Sequence, residues 1–218
     1  FDRTRDGRVS HARLLDIAIR EFGTKGLEGA STRGIAAAAG TAMSAITYHF
    51  GGKDELYRAV ARYIAERIAE QFAPALMAVR AEPADDGPVR ARAQIKAIFS
   101  IFIAMLLQPE SASWARFIVR EQMEPTPAFD ELYNGPMGPM LGHVTALVRR
   151  VAAQRIDESE ARLRAIALFG QVLVFRVARA TVMRSTGWAE IGAEQADAVQ
   201  AVVLAQVDAV LDTLEAKP

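Results

Sequence analysis

Between Ser31 and Leu56 the sequence reads STRGIAAAAGTAMSAITYHFGGKDEL, and several of its polar groups are of types that can hold a phosphate. Ser31 and Thr32 stand at a helix start, where hydroxyls and unpaired backbone N–H groups can receive a phosphate and the helix dipole adds to the attraction. Met43, Ser44, Ala45 and Thr47 fall on the first turns of a second short helix. Short side chains at such a position suit base edges and thymine methyl groups in a major groove. Tyr48 and His49 carry hydrogen-bonding tips at the end of that helix and Lys53 opens the next, so all three are placed to hold phosphates. Arg33 has the planar fork that fits O6 and N7 of guanine. A solvated surface charge for Arg33, and packing or plain surface placement for the Tyr48-His49 pair, are the alternative placements.

These residues need a frame of short helices, and the flanking sequence supplies one. Ser10 is placed to cap a helix running to Lys25, with Leu14, Ile17, Ala18 and Phe22 at helical spacing and Gly26 as its stop. Ser31 or Thr32 caps a second helix over Arg33 to Ala39, ended by Gly40, and a third runs from Ala42 to His49 before Phe50-Gly51-Gly52. Two short helices joined by a Gly-containing turn form a helix-turn-helix pattern. Ile35, Ala36, Ala39 and Ile46 are its expected small core. Gly34 inside a two-turn helix costs about 1 kcal/mol relative to Ala.

The same stretch resembles the TetR-family DNA-binding domain: a Thr-bearing helix start, an Ile-Ala pair, a Gly turn, a short recognition helix, then Phe, a small break and Lys-Asp-Glu-Leu. The resemblance covers about residues 10 to 60. It implies contact with phosphates or bases at Thr32, Arg33, Ser44, Thr47, Tyr48, His49 and Lys53. Two departures stand out, Met43 where many members carry Lys or Gln and Thr47 where an aromatic residue is usual, so hydrogen-bond readout of the bases is expected to be sparse. The partner implied is double-stranded operator DNA, bound by a homodimer. Two half-sites about one helical turn (~34 Å) apart give a dimer more discrimination than one small head could have.

Beyond Lys53 a long amphipathic run reaches about Arg80, and Ala81 to Pro88 reads as a Pro/Asp/Gly linker. Further helices are expected over Val89 to Leu107, Glu110 to Met123, Ala128 to Tyr133, Met140 to Gln154, Ser159 to Ser185 and Glu194 to Glu215, with a breaker at Gly135 to Pro139. The expected fold is all-α: a helix-turn-helix domain over residues 1–55 and a helical effector-binding and dimerisation domain over 56–218. Apolar residues on more than one face of the last long helices call for burial against a partner. Ile166, Phe169, Leu173, Phe175 and Val177, with Val199, Val202, Val203, Val207, Val210 and Leu211, are the expected dimer surface. Trp114, Phe117, Arg120, Glu121, Met123, His143, Phe169 and Arg176 could line a cavity of aromatic walls and a few polar anchors. A plain core would use the same aromatic residues, and Arg120 with Glu121 could be a structural ion pair. The run from Trp114 to Asp130, above all REQMEPTPAFD, resembles the C-terminal domain of CecR/CerR-type regulators. That resemblance implies a small xenobiotic-like or aromatic effector whose binding releases the operator.

Composition sets the outer limits. The net charge is zero, yet residues 1–62 hold ten Lys/Arg against seven Asp/Glu, which leaves the amino end locally positive. With no cysteine the chain has no disulfide and no thiolate metal site, so a reducing cytoplasm suits it. No metal, cofactor or catalytic residue is expected: His11, His49 and His143 are scattered, and neither a Gly-rich phosphate loop nor a GxSxG elbow occurs. The apolar stretch from Ile95 to Leu107 is shorter than the roughly 20 residues a bilayer needs, and the amino end lacks an apolar signal core. No membrane partner is expected. An enzyme and a helical adaptor that does not bind DNA are the rival readings.

Overall fold

The computed structural model describes residues 3–81 and 87–215, with side chains over 11–74 and 87–215. Most of the linker expected over 81–88 lies outside the described residues. Eleven α-helices and no strand occur among those described. They form two compact units: residues 1–68 with 112–136, and residues 69–111 with 137–218.

The first unit holds α1 (Arg3–Gly29), α2 (Thr32–Ala39), α3 (Met43–Phe50), the start of α4 (Lys53–Ala81), nearly all of α6 (Ser111–Met123) and α7 (Pro127–Leu132). Local chemistry sets its boundaries. Ser31 caps α2 by accepting from the Gly34 N–H at 3.3 Å, and Gly40 ends it in the left-handed conformation. Gly51 ends α3 the same way. The α1 helix passes the expected stop at Gly26, but Gly26 breaks its geometry with φ 73° and ψ 178°. The core is built on Phe22, Ile35, Ala36, Ile46, Leu56, Tyr57 and Phe117, all buried; Ala39, expected among them, is half-buried. Tyr57 lies at its centre, edge-on to Phe22 at 4.9 Å and against Phe117 at 4.7 Å. Aromatic pairs at these separations contribute beyond their buried area.

The compact units divide the chain differently from a cut after residue 55. Helices α6 and α7 join the helix-turn-helix, because Phe117 and Glu121 find their partners on α4 there.

The second unit contains α5 (Pro88–Leu107), α8 (Gly138–Val151), α9 (Glu158–Val177), α10 (Arg179–Thr186) and α11 (Ala193–Glu215). Between α7 and α8 the breaker Gly135-Pro136 falls in a π-helical turn over Tyr133–Met137. The single helix expected over Ser159 to Ser185 is two, bent by 74°. The break falls at Ala178, where neither Gly nor Pro marks it. Along α11, Val199, Val203, Val207, Leu211 and Leu214 are buried. An ion-pair network joins α11 to α5: Arg92 reaches Asp208 at 3.0 Å and Asp212 at 2.6 Å, and Lys96 reaches Asp208 at 2.6 Å.

These positions correct the expected dimer surface. Val199, Val203, Val207 and Leu211 face the core of their own unit, because a stripe at four-residue spacing serves an internal helix face as well as an interface. What is left exposed is Leu163, Ile166, Leu173, Val174 and Val177 of α9 and Val202 of α11. Among the described residues no single helix is long and apolar enough to cross a membrane.

Candidate nucleic-acid interface

Helices α2 and α3 fix the exposed polar face. The first N–H groups of a helix have no partner within it. On α2, Ser31 satisfies the N–H of Gly34, and its carbonyl accepts from Ile35. The amides of Thr32 and Arg33 stand at the end of the helix dipole, where an anion is favoured. The α3 helix starts from Ala42, whose methyl cannot cap it. Its first amides, at Met43 and Ser44, are in the same position.

The side chains follow suit. Ile46 faces inward and is fully buried, which turns Met43, Ser44, Thr47 and Tyr48 outward; all four are exposed, Tyr48 by 85%. Ala45 is half-buried at the edge of that face, and His49 is exposed with its ring edge-on to Tyr48 at 5.1 Å. Arg33 is exposed and Thr32 half-buried. Folding leaves a large aromatic in water only at a cost in apolar burial, so an outward Tyr48 beside short polar residues suits a contact surface. Lys53 differs from the others: its ammonium donates to the Glu28 carbonyl at 3.0 Å, closing the end of α1. It has two further N–H groups for a phosphate.

The residues expected at an effector site are divided between the two units. Trp114, Phe117, Arg120, Glu121 and Met123 belong to the first unit, and His143, Phe169 and Arg176 to the second. Phe117 is buried in the Tyr57 cluster, and the Glu121 carboxylate is taken up by Tyr57 and Thr126 rather than by an ion pair with Arg120. Arg120 lays its guanidinium against Gly26. Trp114 is half-buried, and Met123 is 79% exposed. In the second unit Arg176 donates to the carbonyls of Leu106 and Gln108 and to Ser111 Oγ, so it closes the free end of α5. Phe169 is half-buried beside Phe99 at 5.0 Å and Phe102 at 5.3 Å. His143 Nε2 and Gln171 Oε1 are buried without a hydrogen-bond partner.

Burial, with the nearby Arg150 adding to it, pushes the His143 imidazole below its ordinary 6.5. The unfolded chain therefore takes up this proton at a higher pH than the folded one. The contribution of His143 is whole above 6.5 and is lost as the pH falls below it toward the folded value. Melting temperatures measured from pH 7.5 down to about 5 should fall faster for the parent chain than for His143→Asn. Parallel curves would show that His143 takes its proton equally in both states.

Comparison with known proteins agrees with this geometry. Residues 14–60 match the model for bacterial regulatory proteins of the tetR family, and residues 91–214 match that for the C-terminal domain of the HTH-type transcriptional dual regulator CecR. The chain is 33% identical over 212 residues to the dual regulator CecR of Shigella flexneri, covering 95% of this chain and 94% of that one. Its fold is similar to that of a transcriptional regulator from Pseudomonas aeruginosa PAO1, with a TM-score of 0.68 at 21% identity over 97% of this chain and 94% of the other. It is also similar to the regulator FadR of Bacillus subtilis in complex with stearoyl-CoA, at 0.60 and 13% identity over 94% and 98%. With a tetR-family match over the helix-turn-helix, a CecR C-terminal match over most of the rest and a relative 33% identical over nearly its whole length, the chain belongs to the TetR family of DNA-binding transcriptional regulators and carries a CecR-type C-terminal domain.

Proposed function

We propose that this regulator is a ligand-responsive repressor, acting in the cytoplasm as a homodimer that releases its operator when a small aromatic effector binds. The observation that carries the DNA-binding half is the outward set Met43, Ser44, Thr47 and Tyr48, set beside the uncapped amides of α3. Thr32, Arg33, Ala45, His49 and Lys53 complete the contact surface. Short side chains and one aromatic read groove shape and thymine methyls, while the helix ends hold phosphates.

The dimer rests on α9. Leu163, Ile166, Gly170, Leu173 and Val177 recur at alternating spacings of three and four and form one stripe, exposed by 66% at Leu163 and 58% at Val177. Monomers seldom leave such a stripe in water. A Cβ built on Gly170 would meet nothing, so its backbone is open to close approach.

Effector binding is assigned to the second unit, where Phe169 forms an aromatic wall with Phe99 and Phe102 and where His143 and Gln171 hold unsatisfied polar atoms. An aromatic compound with one donor and one acceptor matches that chemistry. FadR of Bacillus subtilis was captured with stearoyl-CoA, so the fold has room for an organic effector. By linkage, an effector that relieves repression must bind better when operator is absent, and by the same factor. Thermal stabilisation against a set of antibiotics, dyes and aromatic acids finds the compound. Its affinity, measured with and without operator, should then differ by roughly 5- to 150-fold. Equal affinities would mean that it does not control DNA release.

A further inference from the structure

Glu121 is fully buried, and every partner seen for its carboxylate is a neutral donor. The Tyr57 hydroxyl donates to Oε1 at 2.7 Å, the Thr126 N–H to Oε2 at 3.1 Å, and the Thr126 hydroxyl lies 3.0 and 3.2 Å from the two oxygens. Thr126 in turn caps α7, accepting from the Ala128 N–H. One carboxylate thus ends α6, sets the turn into α7 and reaches across to α4. Burial and the hydrogen bond to Glu121 push the Tyr57 hydroxyl well above its usual range, so it keeps its proton and donates. A buried carboxylate costs several kcal/mol in lost hydration unless its hydrogen bonds are made, which makes this arrangement demanding of geometry.

The place it pins matters for DNA. Tyr57 is one helical turn beyond Lys53, whose ammonium holds the end of α1. Between Lys53 and the last residue of α3 stand only Gly51 and Gly52, at φ 85° and 155°. Glycines in that region set no direction of their own. The direction of α3 therefore depends on its packing against α2, where Ile46 is buried, and on what fixes the chain beyond its other end, where α4 starts. A second strand of the same tie runs from Arg58 and Arg62 of α4 to Glu131 of α7, at 3.2 and 3.3 Å, although exposed pairs like these contribute little.

We propose that Glu121 is a positioning residue for operator recognition, holding the α6–α7 hairpin as a buttress that fixes the start of α4 and, through it, the angle of α3. It lies outside the tetR-family match, which ends at residue 60. The inference rests on the DNA-binding surface assigned above. A misdirected recognition helix loses base-edge contacts, which depend on tenths of an ångström, sooner than phosphate contacts, which do not.

The test uses the full chain carrying Glu121→Ala, Glu121→Gln or Tyr57→Phe, each titrated well below its own melting temperature with a fragment the parent binds specifically and with an unrelated duplex. Glu121→Ala and Tyr57→Phe should weaken specific binding by about tenfold or more and leave binding to the unrelated duplex within about twofold. Glu121→Gln, which keeps an acceptor for Tyr57, should recover part of the loss. Should Glu121→Ala fail to fold, Tyr57→Phe, which keeps its ring packed, is read by the same measure. Variants that melt earlier but keep the parent's ratio of specific to non-specific binding overturn the proposal and leave Glu121 a purely structural group. A parent chain that binds no fragment specifically overturns both this proposal and the DNA-binding surface, and is told apart by the parent titration alone.

Discussion

Ile166→Asp combined with Leu173→Asp should convert the protein to a monomer and lower its affinity for a two-half-site operator by roughly 10²- to 10⁴-fold. Both residues are exposed on α9, Ile166 by 50% and Leu173 by 40%, so the folded protomer loses little when they change. An interface would lose much more, since a buried aspartate must shed its hydration without a partner. The affinity falls because each protomer presents a single α3, and the second half-site then has to be bound as an independent event. Sedimentation or light scattering reads the assembly state, and titration of the operator reads the affinity. A double variant that stays dimeric would place the interface elsewhere. A monomer that binds the whole operator as tightly as the parent would remove the reason for two-fold recognition.

The second large effect is on stability. Gly26→Ala should destabilise the fold by about 3 kcal/mol, the upper end of what a residue forced into such a backbone region costs. At φ 73° and ψ 178° the backbone is in territory that glycine alone occupies comfortably. An added Cβ would also stand 2.8 Å from the Arg120 guanidinium, so that side chain must move. Gly187 provides the control. It has φ 72° and ψ 12°, an ordinary left-handed helix end, and a Cβ there would meet nothing. Gly187→Ala should therefore cost only about 1 kcal/mol. Urea unfolding of the two variants compares them, and equal losses would show that the Arg120 contact and the extended ψ at Gly26 add nothing.

The contrast between these glycines shows what could be read in the sequence. Gly26 and Gly40 are visible as helix breaks, because punctuation by glycine is a local property of the chain. A cap at Ser31 or Thr32 for α2, Ile35, Ala36 and Ile46 as core, and Met43, Ser44 and Thr47 turned outward all follow from spacing within a few residues. What local spacing does not show depends on partners far along the chain. Glu121 and Tyr57 are 64 residues apart, and nothing near either one announces the other. Without that pair, Phe117 and Glu121 look like the lining of a pocket, and the packing of α6 and α7 with the helix-turn-helix goes unseen. Arg176 is similar: it looks like a ligand anchor until the carbonyl ends of α5, some 70 residues away, come to it.

The last helices mislead for another reason. In α11 the valines from Val199 to Leu211 show a strong apolar stripe, but a stripe says only that a face is covered, not by what. The weaker pattern in α9 carries the more informative signal. There Leu163, Ile166, Leu173 and Val177 are left in water while Ala161, Ala165, Leu168 and Val172 fill the core. Two faces of one helix are apolar, and only packing can tell which one the protomer uses.

The central claim is that the outward face of α3 reads DNA, and the parent chain titrated against its own upstream DNA tests it most directly, alongside Thr47→Ala and Tyr48→Ala. Both side chains are exposed, so neither change should alter folding by more than about 0.5 kcal/mol. The parent should protect two half-sites about 34 Å apart, and each variant should lose at least about 1 kcal/mol of specific binding while melting as the parent does. A parent that protects no site, or variants that bind with the parent's affinity, would contradict it.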